Sequence, residues 1–288
     1  MELRFPLILD GATGTELQRR GYTGDISMEQ WALAHPDCIR ELQRGYVDAG
    51  SRVLYTPTFG GNAVRLAAHG VTEDVAAYNR RLAALTREAA GDKALVAGDM
   101  APTGLFLPPL GDASFRQLVD AYAQQVAGLE AAGVDLYVIE TMISLADARA
   151  AVRAVRAVTD KPIFVTFACD ENGRSTSGTN ITAALTVLQD MGIDAFGLNC
   201  STGAQMLPQL RRLRAYARVP LIAKPSAGLP VMVDGRAVYD CPPEAFAACV
   251  PAMLDSGVMI FGGCCGTTAA HIAALRRALC GGDLPEGN

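Results

Sequence analysis

Short apolar runs recur along the chain, separated by segments of mixed polarity. Eight stand out: LILDG at 7–11, SRVLYTPTF at 51–59, ALVAGDM at 94–100, LYVIET at 136–141, PIFVTFAC at 162–169, AFGLNC at 195–200, PLIAKPSAG at 220–228 and VMIFGGCC at 258–265. Each is short, β-branched or aromatic, and continuous rather than alternating. That is the pattern of strands buried on both faces of a parallel sheet. The stretches between them, 37–49, 62–89, 114–132, 144–158, 180–190, 204–216, 243–255 and 268–279, read as helices. Several stop at a glycine before the next strand, at Gly50, Gly133, Gly192 and Gly257, where a left-handed residue ends a helix at low cost. Eight strands alternating with helices predict an α/β fold, a (β/α)8 TIM barrel forming one domain over residues 1–279. An open doubly wound sheet is the rival, and the count of eight favours closure. Residues 280–288, CGGDLPEGN, are expected to be a disordered tail.

Composition narrows the setting. Half of the 288 residues are hydrophobic, ample for a core, and the net charge of −5 gives no reason to expect nucleic acid or an anionic membrane as partner. The N-terminal apolar stretch is too short for a signal peptide and no stretch is long enough to span a bilayer, so the cytoplasm is the expected address. Eight cysteines in an unsecreted chain point to buried thiols or metal ligands, not to a disulfide framework.

The candidate chemistry lies at the strand ends, where barrels of this type keep their active sites. Cys264 and Cys265 stand side by side at the end of the eighth run and Cys200 ends the sixth. Vicinal thiols are a metal clip or a redox pair, and a trans peptide holds them poorly for a disulfide. Three thiolates converging on one mouth would suit zinc, with one coordination position left open for catalysis. The alternative is that all three are small core residues. His35, His69 and His271 lie away from strand ends, and His271 reads as a surface or helix-packing residue. Cys169, at the end of the fifth run, reads as core or as a neighbour of the site; Cys38, Cys241, Cys249 and Cys280 read as structural. Glu140 is either a binding carboxylate in the mouth or a solvated acid. Asp10 either binds ligand or caps the turn after it. Lys224 reads as structural or supporting.

The segments LILDGATGTEL, TPTFGGN, GDMAPTG, IET, GLNCS, KPSAG and FGGCCGTT together resemble the homocysteine S-methyltransferase family over nearly the whole chain, from Leu7 to about Leu279. The pairing of NC with GGCCGT is the most specific part, and the detail is closest to the homocysteine-binding module of cobalamin-dependent methionine synthase. The resemblance implies zinc-dependent methyl transfer to the thiol of homocysteine, giving methionine. It implies zinc on Cys200, Cys264 and Cys265, the substrate's ammonium group on Glu140 with Asp10 close by, and its carboxylate on the N–H groups of Gly11, Ala12 and Thr13. One departure stands out: Pro57 occupies a position where the methionine synthase branch often has Asn, so Asn62, Asn199 or water would have to fill the zinc's fourth site without substrate.

The chain shows no Asp-x-His-x-x-Gly run to ligate a corrinoid. The expected donor is therefore methylcobalamin carried on a separate corrinoid protein. The alternatives are a small donor (S-methylmethionine, S-adenosylmethionine or betaine) or a non-catalytic zinc- or thiol-binding barrel subunit. A betaine pocket needs aromatic rings, and Trp31, Tyr22, Tyr55 and Phe59 are the residues available for one.

Overall fold

The computed structural model describes residues 3–233 and 236–280. Its strands are β1 (Leu7–Ile8), β2 (Val53–Tyr55), β3 (Leu95–Met100), β4 (Leu136–Met142), β5 (Ile163–Phe167), β6 (Ala195–Asn199), β7 (Leu221–Lys224), β8 (Val231–Val233), β9 (Arg236–Val238) and β10 (Val258–Phe261). Eight of them form one sheet in the order β1-β10-β7-β6-β5-β4-β3-β2, every pairing parallel. The two ends meet through a parallel bridge between Leu9 and Val53. Arg52 N also donates to Ile8 O at 2.8 Å. The sheet is thus a barrel ringed by helices; seven of the eight predicted runs contain one of its strands, and the fourth stops one residue short of the end of β4 at Met142.

The differences from expectation are local. The stretch 62–89, long enough for one long or two short helices, is two, Ala63–Ala68 and Val75–Ala90, each opened by its own side-chain cap, Asn62 and Asp74. The stretch 243–255 is also two, Pro243–Ala247 and Val250–Asp255. Pro251 near the break has no N–H to continue the first of these. The antiparallel pair β8 and β9 was not expected. Three residues per strand give no readable period, and Val231, Met232 and Val233 are exposed. The expected tail, beyond Cys280, lies outside the described residues. No helix among the described residues is long and apolar enough to cross a membrane.

Two apolar clusters divide the core. The larger lies between strands and helices; the smaller gathers Ala97, Val138, Phe164, Ala195, Ile222 and Ile260 with residues of β1 and β2. The smaller cluster takes alternate residues of each strand, so it fills the barrel's interior. Continuing the alternation toward the C-terminal ends places Asp99 above Ala97, Glu140 above Val138, Lys224 above Ile222 and Asn199 two steps above Ala195. An apolar floor therefore gives way to a polar layer, and that layer faces the mouth.

Candidate active site

The loop after β10 carries the paired thiols, and its neighbours hold it from three sides. Gly263 N donates to Asp10 O at 2.9 Å, Cys264 N to Pro225 O at 2.8 Å, and Ala227 N to Cys265 O at 2.9 Å. Thr267 Oγ1 accepts from Ala12 N at 3.0 Å and donates to Cys264 O at 2.8 Å. Gly266 N donates to Thr15 Oγ1 at 3.0 Å. Gly266 has φ +79°, and a Cβ there would lie 2.3 Å from Tyr239 Cβ. Only glycine satisfies both the left-handed turn and the overlying tyrosine.

Cys200 arrives from the end of β6 with φ 62°. Thr141, just beyond Glu140, has φ 58°, and these two are the non-glycine residues of positive φ among the described residues. A left-handed β-branched residue is rare and costs about 1–3 kcal/mol, so its place at the mouth marks a constrained site. Asn199 ties the two together: its fully buried Nδ2 donates to Thr141 Oγ1 at 2.7 Å and lies 3.9 Å from Cys264 Sγ.

The sulfurs of Cys200, Cys264 and Cys265 all lie within 4.8 Å of one another. Cys200 Sγ is 3.1 Å from Cys264 Sγ, which is 4.0 Å from Cys265 Sγ. A tetrahedral ion with bonds of about 2.3 Å to sulfur needs its sulfurs roughly 3.8 Å apart, so the donor set fits a soft divalent metal. Hydrogen bonds from Cys200 and Cys264 lower the Cys265 thiol, making it the readiest thiolate of the three. No other group of three or more metal-ligating side chains is gathered among the described residues. Cys169 stands apart, its thiol pushed up to about 11 by burial. His271 is buried, its ring nitrogens engaged by Thr268 and by Cys241 O.

The thiols line a cavity of about 550 Å³ together with Gly11, Ala12, Thr13, Asp99, Glu140 and Lys224. Lys224 is 3% exposed, 3.3 Å from Asp10 Oδ1 and 3.6 Å from Glu140 Oε2. Its ammonium also sits 3.5 Å from the centre of the Tyr55 ring. Burial alone would lower its pKa, but Tyr55, Glu140 and Asp10 outweigh that and keep Lys224 protonated.

Compared with known proteins, residues 7–279 match the family described as Homocysteine S-methyltransferase. The chain belongs to that family. It is 32% identical to a methionine synthase of Mycobacterium tuberculosis over 97% of its length and 33% identical to one of Mycobacterium leprae over 98%. It spans a quarter (25%) of the length of each of those relatives. Among solved structures, the homocysteine methyltransferase MmuM of Escherichia coli in its oxidised form superposes with a TM-score of 0.80 at 25% identity, covering 94% of both chains. The metallated form of that protein gives a TM-score of 0.79 at 26% identity, covering 94% of this chain and 95% of the other.

For a homocysteine S-methyltransferase, the placement of the remaining expected residues is informative. Glu140 is in the cavity wall, with its Oε2 buried and unmatched by a hydrogen bond among the described residues. Asp10 stands behind the wall, accepting from Tyr55 N at 2.7 Å and paired with Lys224. Ala12 N–H is committed to Thr267, whereas the first turn of the helix Gly14–Arg19 beside Thr13 has no side-chain cap. Asn62 caps a helix through its Oδ1; Asn199 is the asparagine beside a thiol. Of the aromatic residues considered for a betaine pocket, Trp31 is buried against His35 at 4.1 Å, and the face of Tyr55 is taken by Lys224. Tyr22 and Phe59 do line the cavity, joined by Tyr239, which no motif singles out. Asp99 was missed as well, although strand alternation from Ala97 points to it.

Proposed function

We propose that the chain transfers a methyl group to the thiol of homocysteine, giving methionine, with zinc on Cys200, Cys264 and Cys265. The observation that carries this reading is the convergence of the three sulfurs on a cavity whose wall holds Glu140. Bound there, zinc would deprotonate the substrate thiol, which is mostly neutral at pH 7 with a reference pKa of about 8.5. The chain's own part is to bind and orient. Glu140 takes the ammonium, and the N–H groups about Thr13 and Gly11 take the carboxylate, where the helix N-terminus favours an anion. Burial raises the Glu140 carboxyl, and Lys224, fixed by Asp10, opposes that shift. The thiol proton is lost, the sulfur's electron pair forms the new bond to the methyl carbon, and the old bond breaks with its pair left on the donor.

We assign the donor as methylcobalamin presented by a corrinoid protein over the mouth. The higher identity to the methionine synthases, 32–33% against 25–26% for MmuM, supports this. A small sulfonium donor is the second reading, favoured by the rings of Tyr22, Phe59 and Tyr239 around the cavity, since aromatic faces attract such cations. Zinc-loaded protein incubated with homocysteine and, in turn, methylcobalamin, S-methylmethionine, S-adenosylmethionine and betaine separates the two. Methionine from methylcobalamin supports the first reading; methionine from a small donor alone replaces it with the second. Failure to retain zinc after anaerobic loading would remove the basis of both.

A further inference from the structure

Three carboxylates and one cation lie in the buried layer beneath the thiols. Lys224 is the cation, and Asp10 and Glu140 are its ion-pair partners. The third acid, Asp99, is 4% exposed and has no ion pair or side-chain hydrogen bond among the described residues; its Oδ1 is fully buried without a partner. Its backbone, by contrast, is firmly held: Asp99 N donates to Thr56 Oγ1 at 2.9 Å, and Asp99 O accepts from Thr58 Oγ1 at 2.7 Å and from Gln125 Nε2 at 3.1 Å. The side chain lines the same cavity as Glu140, whose Oε2 also lacks a hydrogen bond. Both project inward from the adjacent paired strands β3 and β4. Burying an unpaired acid is strongly unfavourable. A rigidly held backbone that aims one into a cavity therefore implies a donor that arrives with the ligand.

We propose that Asp99 and Glu140 together form a two-carboxylate seat for the substrate's α-ammonium group, so that Asp99 is a specificity residue for amino-acid thiols. An ammonium has three N–H donors, enough to meet both orphan oxygens. This rests on the homocysteine reading and extends it to a residue outside the family motif Ile139-Glu140-Thr141.

The test compares L-homocysteine with its des-amino analogue, 4-sulfanylbutanoate, by titration calorimetry on zinc-loaded wild type and Asp99→Asn. Zinc content is measured on each preparation. Wild type should prefer homocysteine. Asp99→Asn should keep its zinc and its affinity for 4-sulfanylbutanoate, and lose about tenfold or more of its affinity for homocysteine. Asp99→Ser, smaller and also uncharged, provides a second variant should the first not fold, and the same loss of preference is expected. Undiminished preference for homocysteine in a zinc-loaded variant would overturn the two-carboxylate seat while leaving the homocysteine reading intact. Wild type that holds zinc but binds neither thiol would overturn the homocysteine reading, and this seat with it.

Discussion

Asp99 and Asp147 are both buried, at 4% and 2% exposure, and they sit in opposite surroundings. Asp147 opens the helix Leu145–Arg156 on the outside of the barrel. It accepts from Thr103 N at 3.0 Å, Thr103 Oγ1 at 3.1 Å and Tyr122 Oη at 3.0 Å. Asp99 has a pinned backbone and an unanswered carboxylate in the mouth. The pattern extends beyond these two residues. Tyr55 Oη, Glu140 Oε2 and Asn199 Oδ1, also near the mouth, are buried without hydrogen bonds, as are a few atoms away from it such as Thr86 Oγ1 and Thr182 Oγ1. The outer acid is satisfied by the fold; the inner one is not. Burial alone does not separate these two acids, whereas the count of donors does.

Substitutions at the two regions should separate along that line. The largest effect is expected from Cys264→Ala: metal affinity more than about 100-fold weaker, methyl transfer lost, and the unfolding free energy of the metal-free protein nearly unchanged. Metal titration with denaturant melts of the apo protein checks both halves. Asp147→Ala should do the reverse, lowering stability by about 2–4 kcal/mol because it strands the donors of Tyr122 and Thr103, while homocysteine affinity holds. A variant as stable as wild type would dissolve the contrast. Glu140→Gln should raise KM for homocysteine about tenfold with little change in kcat, as steady-state kinetics would reveal.

The smallest effect is one of pH. Burial raises the Asp147 carboxyl from 3.8 to about 6, against the hydrogen bonds that lower it. Folded protein then holds this proton more tightly than unfolded chain. Its contribution to stability is fully present below the unfolded value, fades as pH rises toward about 6, and is flat above. Asp147→Asn should flatten that part of the stability profile, measured as denaturant midpoints across the same window.

Much of this architecture was legible because it repeats. Apolar runs at regular intervals announced the barrel, and Cys200, Cys264 and Cys265 were readable from their places at strand ends. Asp99 was less visible, since the run ALVAGDM does not show which residues face inward until the register with Tyr137–Ile139 is known. Asp147 carried no signal in the sequence, because its partners Thr103 and Tyr122 are distant along the chain. The β8–β9 pair and Tyr239 left no period to read. Likewise, nothing in GATGT foretold that Ala12 N–H would be taken by Thr267, a contact across 255 positions.

The left-handed backbone at Cys200 sets stability and chemistry against each other at a single position. Glycine would adopt φ 62° without the Cβ clash, so Cys200→Gly should fold at least as well while losing one sulfur of the cluster. A laboratory population selected for heat resistance alone would have little reason to keep that cysteine. If the proposed methyl transfer holds, one selected for growth on homocysteine would retain it, so its survival among evolved variants would record which pressure the population had met.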